Sequence, residues 1–258
     1  MKNILTFFFV SVSLGAFCCD KDCIESLLAK AAAFQNEFKE EEAIEILEEV
    51  LESEPKNYEA LWRTSYSYIR VGWLVEEDND EAEERRKLAF ITAREFAIKA
   101  YTLSPDQYES ILVLGGANAK LAKYLSLKEQ IQIAWDIKDF ADRMLAIDDQ
   151  SADVYYFLAW WHFKVGSASS FERFMAKIFF GGLPQGADVQ KGFEAIRKAI
   201  DLNPGYAVYH YDLGIFYSKT DAPEEARSCF NNALTCPSST PEDSIYKRYA
   251  TMRLENLP

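Results

Sequence analysis

The chain has 258 residues and a formal net charge of −13, and 49% of its residues are apolar and 14% aromatic. The acidic balance disfavours binding to nucleic acid phosphates, and no stretch rich in Lys and Arg interrupts it. The apolar content predicts a chain that is folded around a sizeable core rather than disordered.

The first 19 residues have the pattern of a secretory leader. Lys2 precedes an apolar run over residues 4–10, which is too short to span a bilayer as a helix. Small residues follow, and then the pair Cys18 and Cys19. The order predicts an exported protein, either a periplasmic or outer-membrane-attached lipoprotein with lipid on Cys19 or Cys18, or a simply secreted protein. A cytosolic protein with an apolar N-terminus is the remaining alternative.

Residues 20–258 contain an internal repeat with the spacing of tetratricopeptide (TPR) units. The last copy shows it most clearly, with Leu213 and Gly214 in its first helix, Ala226 and Phe230 in its second, and Pro237 just beyond. Small residues let paired helices approach closely, large ones fill the gap beside them, and proline ends the second helix. Each position of the motif therefore has a packing reason.

Earlier copies repeat the pattern, and three of them end at Pro55, Pro105 and Pro204. In the second, third and fourth units the second helix comes late, so these units carry insertions. Residues 241–257 are apolar at helical spacing and should cap the stack. We therefore predict an all-α, TPR-like solenoid of helical hairpins with lengthened inter-helix insertions. It forms a single domain over residues 20–258, with about five helix pairs and a C-terminal capping helix.

The first helix of each TPR pair lines the concave face of the stack, and that register predicts a mainly aromatic ligand groove. Its members are Trp62, Tyr66, Ile69, Leu112, Tyr156, Trp160, Phe163, Tyr211 and Ile215. Arg70 and Lys120 fall at edge positions and predict a polar rim. If the groove is open, it suits an acyl chain, an apolar small molecule or a partner helix. Alternatively, the insertions fold over it and the aromatic residues are core.

The insertion of the fourth unit has apolar residues at helical spacing. They are Phe171, Phe174, Met175 and Phe179. This spacing predicts a short amphipathic helix, which would act as a lid over an open groove.

Motifs that carry catalysis or metal binding are missing. The glycines of residues 181–186 lack the Lys and Ser or Thr of a phosphate-binding loop and follow a helix rather than a strand. His162 and His210 have no partners at metal-ligand spacing, and each sits in a first helix where a packed histidine is expected. The sequence therefore predicts a protein that is not an enzyme, with no cofactor, metal site or catalytic residue.

Several short motifs resemble the regulator of microtubule dynamics family, whose members share a TPR-like domain with irregular spacers. The matching residues are Leu61-Trp62-Arg63, Leu121-Ala122-Lys123-Tyr124, Lys128-Glu129-Gln130-Ile131, Phe171-Glu172-Arg173 with Ala176 and Phe179-Phe180, Pro204-Gly205-Tyr206, Leu213-Gly214, and Pro237 with Thr240, Glu242 and Asp243. They span residues 58–250 and include two insertions that generic TPR proteins lack.

The resemblance implies a non-enzymatic adaptor domain, which in some relatives is associated with membrane contact sites and lipid binding. Microtubule association is not carried over, because an exported bacterial chain would not meet tubulin. The expected function is an exported TPR binding protein that holds a protein partner, or an apolar small molecule or lipid, in its groove. The alternatives are a pure protein scaffold, or a TPR lipoprotein that accompanies a solute transporter. Membrane contact is expected only through an N-terminal lipid anchor.

Overall fold

The computed structural model describes residues 21–75 and 79–257, and every regular element in these ranges is helical. The first six helices are α1 (Lys21–Asn36), α2 (Glu40–Ser53), α3 (Tyr58–Leu74), α4 (Asp80–Leu103), α5 (Tyr108–Leu121) and α6 (Leu127–Ile147). The last six are α7 (Ala152–Gly166), α8 (Ser170–Phe180), α9 (Val189–Leu202), α10 (Ala207–Lys219), α11 (Pro223–Thr235) and α12 (Pro241–Glu255). The all-α solenoid is confirmed.

Polar side chains at the N-terminal cap positions explain where several helices begin. The Asn79 side chain accepts a hydrogen bond from the backbone N–H of Ala82 and so starts α4. Ser126, Ser169 and Thr240 form capping boxes at the starts of α6, α8 and α12, in which a carboxylate three residues on bonds back to the cap. Several second helices end two residues before a proline, as the repeat predicted.

The helices pack as antiparallel hairpins, α1 with α2, α3 with α4, α5 with α6, α7 with α9, and α10 with α11. The insertions take three forms. The second unit lengthens α4 at its N-terminus, the third adds a 3-10 turn at Ala122–Tyr124 and a long α6, and the fourth inserts α8 between α7 and α9. Thus each late second helix has a structural explanation.

Small residues of a first helix meet large residues of the second. A Cβ atom on Gly214 would lie only 2.5 Å from Phe230 Cε1, and one on Gly72 would lie 2.6 Å from Phe90 Cε1. Both phenylalanine side chains are buried, Phe230 completely. Because any side chain at these two glycines would separate the paired helices, the small and large positions act together to set the helix spacing.

The last helix, α12, packs on α10 and α11 and also reaches α3, near the other end of the chain. Its residues Ile245, Tyr246 and Ala250 join one core cluster with the α10 side chains Tyr209 and Tyr211. The Trp73 indole N–H of α3 donates a 2.9 Å hydrogen bond to the Tyr246 hydroxyl. The solenoid is therefore so tightly curved that its C-terminal helix contacts the second hairpin.

Candidate functional site

A buried ion cluster joins α12 to the first two hairpins. The Arg70 guanidinium lies 2.9 Å from Glu242 Oε1 through Nε and 2.7 Å from Glu40 Oε1 through Nη1. All three side chains are at most 7% exposed. Burial raises the pKa of Glu40, although Ser67 and Arg70 oppose that rise. Arg70 was predicted at the polar rim of the groove, whereas the structure buries it between two carboxylates because α12 covers α3.

A further buried carboxylate, Asp212, lies on α10. The Tyr156 hydroxyl donates to Asp212 Oδ2 at 2.5 Å, and the Trp160 indole N–H donates to the same oxygen at 2.9 Å. Burial raises the pKa of Asp212 to about 6, although both hydrogen bonds and the charge of Lys120 lower it. Two of the predicted groove residues therefore serve as donors to an internal carboxylate.

The residues predicted for the groove are divided among the core clusters. Trp62, Tyr66, Ile69 and Leu112 pack with the cluster of α3, α5 and α6, and Tyr156, Trp160, Tyr211 and Ile215 pack with that of α10 and α12. Phe163 stacks on Phe216 with ring centroids 4.0 Å apart. Ile69, Phe163, Tyr211 and Ile215 are buried and the other five are half-buried. Ligand contact by these nine side chains stays a prediction.

An open cavity of about 850 Å³ lies where α3, α4 and α5 face α12. Aromatic and apolar walls come from Trp73, Phe90, Tyr249 and Met252. The cations in its lining are Arg86, Lys120, Lys123 and Arg248, and the lining carboxylates within the described ranges are Asp80 and Glu83. None of the nine predicted groove residues is in this lining. The cavity combines apolar walls with an excess of positive charge in a chain that is acidic overall.

Lys120 differs from the other cavity cations in its surroundings. Lys123 and Arg86 both bond to Glu83, whereas the Lys120 ammonium makes no hydrogen bond or ion pair within the described residues. It lies 3.5 Å from the centroid of the Trp73 ring. Burial lowers the pKa of Lys120 to about 8, while the more distant Asp212 and Glu242 oppose that fall. A desolvated cation with unused donors is a strong attractor for an anion.

The predicted amphipathic helix exists as α8, which packs against α6. Phe171, Phe174 and Phe179 are 64%, 59% and 40% exposed, and Met175 is half-buried. Only Ala176 of this helix is fully buried. Its role as a lid stays a prediction, since α6, the helix on which α8 packs, carries none of the nine predicted groove residues.

Both histidines contact backbone groups, and the two C-terminal cysteines, Cys229 and Cys236, lie in the protein interior. His162 Nδ1 accepts a hydrogen bond from the Asp188 amide, and His210 Nε2 lies 3.0 Å from the Pro204 carbonyl. Cys229 and Cys236 are buried free thiols. Within residues 21–75 and 79–257, no group of three or more His, Cys, Asp or Glu side chains could hold a metal ion. In the same ranges no helix combines the length and apolarity needed to cross a bilayer.

Sequence reasoning missed Asp212 and Trp73. Asp212 is the only charged residue in the α10 segment from Tyr209 to Tyr217, and an isolated carboxylate in an apolar helix indicates a buried, hydrogen-bonded group. Trp73 follows the predicted groove residues of α3 by one turn. Its importance depends on contact with α12 and with Lys120, which no local pattern reveals.

The buried state of Asp212 has a consequence for pH dependence. Its pKa in the folded chain, about 6, lies above the ordinary 3.8, so the folded state binds this proton more readily than the unfolded state. The free energy of unfolding should therefore gain on the order of 2 kcal/mol from this group as the pH falls from about 6 towards 4. Urea denaturation should show that Asp212→Asn loses this gain while the exposed Asp201→Asn keeps it. Parallel pH profiles for wild type and Asp212→Asn would contradict the assignment.

A family model described as regulator of microtubule dynamics protein 1-3 matches residues 27–257. The chain belongs to this family. Regulator of microtubule dynamics protein 3 of Rattus norvegicus is 25% identical over 192 residues, which cover 73% of this chain and 39% of the relative. Protein 1 of Bos taurus is 23% identical over 235 residues, which cover 91% and 72%. The chain thus spans about two fifths of the length of the rat relative.

A solved structure supports the fold independently. The thermophilic TPR protein TTC0263 of Thermus thermophilus aligns with a TM-score of 0.58 and 13% identity over 89% of this chain and 99% of that one. At this identity the likeness establishes the TPR fold alone. The chain is therefore a TPR-like member of the regulator of microtubule dynamics family.

The family corrects the prediction of export. Localisation in a bacterial periplasm or outer membrane is wrong, because the matched relatives are eukaryotic regulator of microtubule dynamics proteins. The prediction failed because a short apolar run followed by cysteines does not define a destination by itself. The predicted leader and the predicted lipidation sites Cys18 and Cys19 lie outside the described residues.

Proposed function

We propose that this family member is a non-enzymatic binding module whose cavity between α3, α4, α5 and α12 holds an apolar molecule with an anionic end group. A phospholipid or another acyl-chain phosphate has this chemistry. The observation that carries the proposal is Lys120, whose ammonium lies against Trp73 with no bonded carboxylate within the described residues.

The walls of the cavity suit the apolar part of such a ligand. Trp73 and Tyr249 offer aromatic surface, and Met252 of α12 is 54% exposed beside them. A volume of about 850 Å³ lies within the usual range for small-molecule sites, roughly 300–1,000 Å³. Apolar surface with a few convergent polar groups is the usual composition of these sites.

The charges of the cavity suit the anionic end. Glu83 pairs with Lys123 and Arg86, so these two cations are already partly neutralised. The Lys120 ammonium, which has no bonded carboxylate within the described residues, is the group that an incoming phosphate or carboxylate oxygen would pair with. Anion binding would also raise the depressed pKa of Lys120, so binding should be tighter below about pH 8 than above it.

Titration with dodecyl phosphate, followed by calorimetry on delipidated protein, tests the proposal. Lys120→Met keeps the bulk of the stem but removes the charge, and it should weaken binding by about 10- to 100-fold, the equivalent of about 1.5–3 kcal/mol for a charge-assisted hydrogen bond. Lys99→Met is the matched control, because Lys99 is exposed on α4 and lies 4.8 Å from the Phe96 ring, outside the cavity.

Dodecyl maltoside, a neutral amphiphile with the same alkyl chain, separates the contribution of the apolar walls from that of the Lys120 charge. It should bind more weakly than dodecyl phosphate to wild type and equally to wild type and Lys120→Met. Equal dodecyl phosphate affinities for Lys120→Met and Lys99→Met would refute the proposal. The alternative, a pure protein scaffold, is favoured by the close packing of the predicted groove residues, and it predicts no uptake of either amphiphile.

A further inference from the structure

The apolar face of α8 points away from the protein. Its stripe consists of Phe171, Phe174, Ile178 and Phe179, which are 64%, 59%, 58% and 40% exposed. The residue that faces inward is Ala176, which is completely buried. A helix that serves only the core would have the reverse arrangement, since burial of a large apolar side chain stabilises the fold by roughly 1.5–3 kcal/mol.

Cations flank this stripe. Lys177 is exposed on α8 and makes no ion pair within the described residues. Lys128 of α6 is also exposed, with its ammonium 5.8 Å from the centroid of the Phe179 ring. The carboxylate on α8, Glu172, is engaged by the Ser169 hydroxyl and amide at the helix N-terminus. The charged groups beside the apolar stripe that have no ion-pair partner within the described residues, Lys177 and Lys128, are therefore positive.

A small cationic cavity opens beside the same helix. It measures about 390 Å³ and is lined by Arg173, Lys177, Val165 and residues 181–187, with no carboxylate among its lining residues. Arg173 is held in place by donating to the carbonyls of Gly166 and Ala168. A left-handed Gly181, with φ of 76°, ends α8 and turns the chain into this cavity wall.

We propose that α8 docks on an anionic lipid bilayer, with its aromatic stripe among the acyl chains and lipid phosphates at Lys177, Lys128 and Arg173. A helix with an aromatic apolar face and flanking Lys and Arg lies in the plane of a membrane interface, inserted by about 5–10 Å. The stripe is a projecting surface rather than a groove, and a fluid acyl layer accepts such a shape without a complementary cavity. This surface is separate from the Lys120 cavity.

Vesicle flotation of the full chain tests the proposal. Wild type should float with vesicles of phosphatidylcholine containing a minority of phosphatidylserine, and much less with phosphatidylcholine alone. Phe171→Ser/Phe174→Ser should reduce binding about tenfold or more, because both side chains leave the acyl layer. The matched control is Leu88→Ser/Ile91→Ser, which removes two exposed apolar side chains from α4, and it should bind as wild type does.

Charge variants distinguish binding of α8 to anionic lipid from binding at the Lys120 cavity. Lys128→Glu/Lys177→Glu should lose the preference for anionic vesicles, while Lys120→Met should float normally, so failure here is distinguishable from failure of the cavity proposal. Circular dichroism should show unchanged helix content in the three double variants, since all of their replaced side chains are exposed. Equal flotation of the α8 and α4 double variants would overturn the proposal. So would light scattering that shows a stripe-dependent dimer without vesicle binding, because a second copy would then be the occupant.

Discussion

Replacing Arg70 with Met should lower the free energy of unfolding by about 3–5 kcal/mol, because Glu40 and Glu242 would be left buried without their shared cation. Both carboxylates are at most 5% exposed, and Glu242 Oε2 has no hydrogen-bond donor among the described residues. Chemical denaturation of wild type and variant gives the change. Hydrogen exchange should also show faster exchange in α12, since the ion cluster is one of its contacts with α3.

Two further variants separate this effect from the loss of any arginine. Arg63→Met removes a more exposed ion pair with Glu59 on the same helix and a hydrogen bond to Gln35 Oε1, and should cost no more than about 1–2 kcal/mol. The triple variant Arg70→Met/Glu40→Gln/Glu242→Gln removes all three charges and should recover most of the loss. If Arg70→Met costs no more than Arg63→Met, α12 is not held to α3 by this cluster.

Replacing Phe216 with Ala should also cost about 3–5 kcal/mol, since this side chain is fully buried and the remaining cavity would be closed only in part. Phe216 stacks on Phe163 at 4.0 Å between ring centroids and meets the edge of Trp160 at 5.0 Å. Both neighbours are predicted groove residues. The free energy of unfolding, measured by urea denaturation, thus reports whether this part of the predicted groove is packed core.

The matched control for Phe216→Ala is Phe174→Ala, which removes a ring that is 59% exposed on α8. It should change stability by less than about 0.5 kcal/mol. A loss below about 1 kcal/mol for Phe216→Ala would mean that the rings around it are loosely packed. Trp160 and Phe163 would then be available to a ligand, as the repeat register predicted.

The repeat predicted the fold well because TPR packing is local. Gly214 and Phe230 lie on the two helices of one hairpin, α10 and α11, and their close contact follows from residue size alone. Proline also ends helices through local geometry, so Pro55 and Pro204 fall just beyond α2 and α9. The insertions were recognised because each one delays the second helix of its unit, which is also a local feature of the sequence.

The site was predicted less well because it depends on curvature. The register identifies which residues face the concave side, but the closure of the solenoid determines whether that side is open. Contact between Arg70 and Glu242 joins residues 172 apart in the chain. That contact places α12 opposite α3, and it leaves Lys120 beside a cavity rather than on a polar rim.

For the amphipathic helix α8, too, the sequence predicted the local structure but not the long-range packing. Its existence followed from the spacing of Phe171, Phe174 and Phe179, whereas the direction of its apolar face did not. That direction depends on how α8 packs on α6, where Ala176 rather than a phenylalanine is buried.

Native mass spectrometry of the protein, isolated without detergent or denaturant, tests most directly whether the cavity at Lys120 is a ligand site. Wild type should carry a non-covalent species with the mass of an anionic amphiphile, and Lys120→Met should be isolated without it, while Lys99→Met retains it. A wild-type protein that appears only at its bare mass and takes up no added dodecyl phosphate would contradict the account and favour a scaffold without a ligand.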